Sequence, residues 1–157
     1  MPPFVVKDLS ARLKRGDRLL GLDLGEKTIG LAISDSALRV ASPLETLRRT
    51  KFTKDVETLK RIVAERQVGG LVIGLPVNMD GTEGPRCESA RQFATNLAKI
   101  AGIELPIAFW DERLSTAAVQ RFLVDEADMT RKRRAAVVDK MAAAYILQGA
   151  LDSLHRA

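Results

Sequence analysis

The chain has 157 residues, enough for one domain of ordinary size with a sizeable core, and its 46% hydrophobic and 29% charged residues exclude a disordered polymer. Aromatics at 4% exclude wide platforms for stacking unpaired bases. One cysteine, Cys87, excludes a disulfide framework and a cysteine-based zinc cluster, and one histidine, His155 near the C-terminus, argues against a histidine-dependent nucleophilic triad.

Residues 1–17 place Val5, Leu9 and Leu13 at helical spacing among Lys7, Arg12, Lys14 and Arg15, which reads as a short helix in an N-terminal extension. Residues 18–24 form a strand around Leu19, Leu20 and Leu22. Gly25-Glu26-Lys27 turns the chain, with Gly25 supplying backbone freedom, into a second strand over 28–34. A third strand over 40–47 contains Pro43, which demands an edge position. The period then changes: residues 54–67 set Val56, Leu59, Ile62 and Val63 on one face of a helix. Residues 70–74 are a buried strand, 85–101 a helix with Pro85 in its first turn, and 106–110 a fifth strand. Residues 115–124 read as a helix with Ser115 as N-cap and Leu114 and Val119 as a hydrophobic staple. A charged loop over 125–134 leads into a closing helix over 134–154. Three strands joined by short turns, followed by alternating helices and strands, predict an α/β domain over 18–157. Its mixed five-stranded sheet combines an antiparallel meander with two parallel strands, and helices cover both faces.

Three acids stand out. Asp23 lies in an otherwise apolar strand, where an ionised carboxylate is costly unless paired or metal-bound; a turn aspartate bonding its own backbone also accounts for it. Asp139 has Ala135, Ala136, Ala142 and Ala143 three and four positions away. None can form an ion pair, and their small size leaves room for a ligand to approach; a rim aspartate, with adjacent Lys140 marking where the face turns to solvent, also accounts for it. Glu112 ends the fifth strand, where ligands usually bind in α/β sheets. Asp111 points to the opposite face, and taken alone a plain polar loop at 111–113 is the simpler account.

If the three acids converge, their mutual repulsion calls for a divalent cation. With no histidine or cysteine to spare, oxygen must hold it, which selects Mg²⁺ or Mn²⁺. Two such ions about 4 Å apart can bind a scissile phosphate, activate water and stabilise the leaving oxygen. Net charge is +5, which suits a polyanionic partner, nucleic acid or a membrane surface, and serves plain solubility as well. Nucleic-acid contacts are expected from Lys27, Asn78, Arg113, Arg131, Lys132, Arg133, Arg134 and Lys140; a charge run such as 131–134 is also an ordinary solvated loop. No apolar run spans a bilayer and no signal-type core follows the N-terminal basic residues, so the expected setting is the cytoplasm without membrane contact.

Four segments in order resemble the YqgF family, also called RuvX or Holliday-junction-resolvase-like. The first runs from Leu20-Gly21-Leu22-Asp23-Leu24-Gly25 to Asp35. The second runs from Gly74-Leu75-Pro76 to Gly84. The third is Asp111-Glu112-Arg113-Leu114-Ser115-Thr116, and the fourth runs from Val138-Asp139-Lys140-Met141 to Gln148. The resemblance covers nearly everything from Arg18 onward. It implies a ribonuclease H-like fold and carries over Asp23, Glu112 and Asp139 as catalytic metal-binding acids. It also implies Mg²⁺- or Mn²⁺-dependent processing of the 5′ end of precursor 16S ribosomal RNA. One position departs: many members carry arginine where this chain has Thr28. A resolvase of branched DNA would use the same chemistry with two sites, so the state could be monomer or homodimer. Asp23-Leu24-Gly25 also matches the phosphate hairpin of actin-like kinases, but 157 residues leave no second lobe. A non-catalytic nucleic-acid module is disfavoured because all three acids are present.

Overall fold

The computed structural model describes residues 5–114 and 131–155, and for 131–138 the backbone alone. In chain order the elements are α1 (Val6–Ser10), β1 (Arg18–Leu24), β2 (Thr28–Ser34) and β3 (Ala41–Arg48). They continue with α2 (Phe52–Glu65), β4 (Val68–Leu75), α3 (Pro85–Lys99), β5 (Ile107–Asp111), a single 3-10 turn (Glu112–Leu114) and α4 (Arg131–Leu154). The sheet order is β3-β2-β1-β4-β5. β1, β2 and β3 pair antiparallel, while β4 runs parallel to both β1 and β5. The expected meander plus two parallel strands is therefore what the chain forms. The helix expected over 115–124, with its Ser115 cap and Leu114–Val119 staple, and most of the loop expected over 125–134 lie outside the described residues.

Alternation along the strands divides two cores. Leu20, Leu22, Ile29, Leu31, Leu71 and Ile73 face α2 and α3, meeting Val56, Leu59, Phe93 and Leu97. Each such side chain, removed from water, contributes about 2 kcal/mol. The opposite face carries Leu19, Ala32, Val72 and Ala108 and packs against Val6 and Leu9 of α1 and a stripe on α4: Ala142, Ala143, Ile146, Leu147, Ala150 and Leu151. That stripe keeps to one side of the helix because its members recur in adjacent pairs four residues apart. The segment before β1 thus contributes to the core, with Leu9 fully buried.

Small residues dominate the α4 face of the sheet. A Cβ on Gly21 would come within 2.9 Å of Leu147 Cβ, and one on Gly30 would overlap the backbone carbonyl of Asp139. The glycines let the final helix lie close upon the strands. Pro43 sits in edge strand β3, as expected, beside a register shift opposite Leu31 and Ala32.

Two local expectations need correction. Gly25 is not in the left-handed region. Its missing Cβ matters because Thr28 O lies 3.2 Å from where that atom would be, in a turn closed by the Gly25 N–H donating to that same oxygen at 2.9 Å. The final helix already includes Arg131, so the basic cluster lies within it and not in the loop expected before Arg134. Lysine and arginine are good helix formers, and no glycine or proline interrupts residues 131–134.

Candidate active site

Asp23 is placed by strand parity: Leu20 and Leu22 enter one core, so Leu19, Gly21 and Asp23 face the other, towards α4. Its carboxylate is buried, with 4% of the residue exposed. Across the antiparallel pair its partner is Gly30. On the other side, Gly74 follows Ile73, the parallel partner of Leu22, as Asp23 follows Leu22. Gly30, Asp23 and Gly74 therefore make a row across three strands, about 10 Å wide at ordinary strand spacing.

Both glycines in that row are covered by an acid. The Asp139 backbone lies directly over Gly30. The Glu112 side chain lies over Gly74, with Oε1 2.8 Å from where a Cβ would stand. Glu112 shares its face with Trp110 and Ala108, whereas Asp111 pairs with Leu75 and shares the other face with Ile107 and Phe109. Asp23 thus sits between Asp139 and Glu112 on one face, at the carboxyl ends of β1 and β4. Glu112 begins the 3-10 turn just after β5 and is not part of the strand itself.

The Asp139 carboxylate has a partner that local pattern does not reveal: Thr28 Oγ1 donates to its Oδ2 at 2.5 Å. Among the described residues no three acidic, histidine or cysteine side chains stand as a ready-made metal cage. The donor chemistry nonetheless fits a hard cation. The three acids share one face, Cys87 belongs to the opposite core, and His155 lies past the far end of α4, about 24 Å along the helix from Asp139. Burial pushes the Cys87 thiol up, keeping it neutral and a poor ligand.

The other expected contacts are dispersed around this row. Lys27 is exposed in the β1–β2 turn and Lys140 is half-buried beside Asp139. The Asn78 amide donates to Thr82 Oγ1 at 3.0 Å, inside a loop turned by Gly81 at φ 90°. Asp80 accepts from the Thr82 hydroxyl and N–H, which hold its carboxyl below the usual range. Arg113 is engaged by Asp111 through Nε and Nη2, the latter at 2.7 Å, and reaches Met79 O with Nη1. The bonds to Asp111 hold that carboxyl below its ordinary value, and the one to Met79 O ties the end of β5 to the β4–α3 loop. The side chains of Arg131, Lys132, Arg133 and Arg134 lie outside the described residues.

Gly74→Ala separates site geometry from stability. The new Cβ would meet only side-chain atoms, Ile146 Cδ1 at 2.6 Å and Glu112 Oε1 at 2.8 Å, which can swing away. We expect a stability loss of about 1–2 kcal/mol by denaturant titration. An activity that uses Glu112 should fall by about 100-fold, because an ångström-scale displacement of a reacting group costs that much.

These features define a ribonuclease H-like α/β protein with a row of acids at the carboxyl ends of its parallel strands. The fold is that of T. thermophilus RuvC, solved in complex with Holliday junction substrate, at a TM-score of 0.55 and 12% identity over 87% of this chain and 94% of that one. The family model RuvX, described as Holliday junction resolvase, matches residues 17–153, and the chain belongs to that family. A relative in Paramagnetospirillum magneticum named "Putative pre-16S rRNA nuclease" is 63% identical over 153 residues, 98% of this chain and 97% of its own length. One in Phenylobacterium zucineum with the same name is 63% identical over 147 residues, 94% of each chain. Similarity to the first extends into the segment before β1, beyond the span of the sequence motifs.

Proposed function

We propose that this chain is a metal-dependent nuclease that processes the 5′ end of precursor 16S ribosomal RNA in the cytoplasm, with Asp23, Glu112 and Asp139 as its catalytic acids. The observation that carries this is the single row in which Asp23 is flanked by Asp139 over Gly30 and Glu112 over Gly74. The names of the two 63% identical relatives support the RNA substrate.

In the hydrolysis, a water oxygen bonds to phosphorus, the bond from phosphorus to the leaving sugar oxygen breaks, and the water proton passes to solvent or a site acid. Mg²⁺ or Mn²⁺, when bound, supplies Lewis acidity at the phosphate and a more acidic water. Asp23, on a rigid strand, would hold the ion together with Glu112 at the β5 end and Asp139 on α4. The basic residues at 131–134, with Lys27 and Lys140, attract the phosphate backbone. Among the described residues no helix is long and apolar enough to cross a membrane.

A second reading, cleavage of branched DNA, is favoured by the family description and the RuvC-like fold. The test is side-by-side cleavage of a precursor 16S fragment and a four-way DNA junction by wild type and Asp139→Asn, with and without Mn²⁺. We expect Mn²⁺-dependent cutting of the RNA by wild type alone. Junction cutting with intact RNA would reassign the substrate, and equal activity of Asp139→Asn would remove the proposed site.

A further inference from the structure

Thr28 and Asp139 are 111 residues apart in sequence, yet they share a 2.5 Å hydrogen bond at the rim of the acid row. That length is at the short end for a hydroxyl donating to a carboxylate, a charge-assisted bond stronger than a neutral one. The donor is delivered from a rigid place. Thr28 opens β2, and its backbone oxygen closes the hairpin by accepting from Gly25 N–H. Arg49 then staples the same hairpin: its Nη1 donates to Gly25 O at 2.6 Å and its N–H to Lys27 O at 2.8 Å. As a β-branched residue, Thr28 has few side-chain rotamers to lose. Two residues further along the same strand face, Gly30 seats the Asp139 backbone. The acid is therefore held twice, by its main chain against the sheet and by one carboxylate oxygen against the hairpin.

We propose that Thr28 is the positioning residue for Asp139: its hydroxyl sets the rotation of the carboxylate that faces the divalent cation. It does so without adding positive charge, so Asp139 keeps its full attraction for the ion. A donor behind a metal-binding acid tunes affinity because an oriented ligand loses less freedom when the ion arrives. This rests on the assignment of Asp139 as a metal ligand made above, and the experiment tells the two apart.

The full chain, without nucleic acid, is titrated with Mn²⁺ and free ion is read by electron paramagnetic resonance, for wild type, Thr28→Val, Thr28→Ser and Asp139→Asn. Thr28→Val keeps the shape and removes the hydroxyl, and should weaken Mn²⁺ binding about 10- to 100-fold, whereas Thr28→Ser should stay within about threefold of wild type. In cleavage assays the Mn²⁺ concentration at half-maximal rate should rise with the Val variant by the same factor. Unfolding curves confirm that each variant is folded; should Thr28→Val not fold, Thr28→Ala takes its place with the same expectation. Wild-type affinity in the folded Val or Ala variant, with binding lost in Asp139→Asn, overturns the role of Thr28 alone. Equal binding by Asp139→Asn and wild type overturns both the role of Thr28 and the metal assignment beneath it.

Discussion

Asp23→Asn is expected to lower metal-dependent cleavage by about a thousandfold or more while the protein stays folded. Asparagine keeps the volume and one carbonyl oxygen, but it brings no negative charge to the centre of the row. Each factor of ten in rate corresponds to about 1.4 kcal/mol of barrier, and Lewis-acid stabilisation of a phosphoryl transition state is worth several kcal/mol. Stability should hold or rise. Asp23 is only 4% exposed, and asparagine fills the same space without placing a charge on the buried face. Single-turnover cleavage in Mg²⁺ and in Mn²⁺, with thermal melts on the same samples, measures both effects. Full activity in the variant would sink the catalytic assignment; lost activity with a collapsed melt would reduce Asp23 to a structural residue.

Gly30→Ala should have the largest effect on stability of any single methyl added to the α4 face. Its Cβ would overlap the Asp139 carbonyl group, and a helix backbone cannot swing aside as a side chain can. We expect a loss of about 3 kcal/mol or more, a fall in melting temperature of roughly 6–12 °C for a chain of this size. Cleavage should be lost with it, since the same shift carries Asp139 away from Asp23. Gly84→Ala is the matched control: its Cβ would come no nearer than 3.5 Å to its nearest neighbour, the Asn78 amide, and the stability change should be within about 0.5 kcal/mol. A melting temperature for Gly30→Ala equal to that of Gly84→Ala would mean that α4 does not lie on the sheet as described.

Much of this architecture is legible along the chain. The apolar runs at 18–24 and 28–34 give β1 and β2 with their bounds, because alternation and a short turn are local properties. Pro43 announces the edge strand, and the spacing of Val56, Leu59 and Ile62 announces α2. Element ends differ: β4 extends to Val68–Leu75, and α4 already includes Arg131, three residues before the bound that the charge pattern suggests. Helix ends depend on capping and packing that a run of good helix formers does not specify. Asp139 stood out by its alanine neighbours, two of which, Ala142 and Ala143, are buried against the sheet.

By itself, then, the sequence determined the elements, the apolar faces and the presence of three acids in motifs of a known order, because each is set by period, propensity or spacing within a few residues. Only the tertiary structure decided that Gly30 and Gly74 are the floor beneath Asp139 and Glu112, and that Asp23 stands between them. It also decided that Thr28 bonds Asp139. Those relations come from sheet register and from one helix laid across it. Pairings set by strand alignment between distant segments leave no mark in the local composition of either partner.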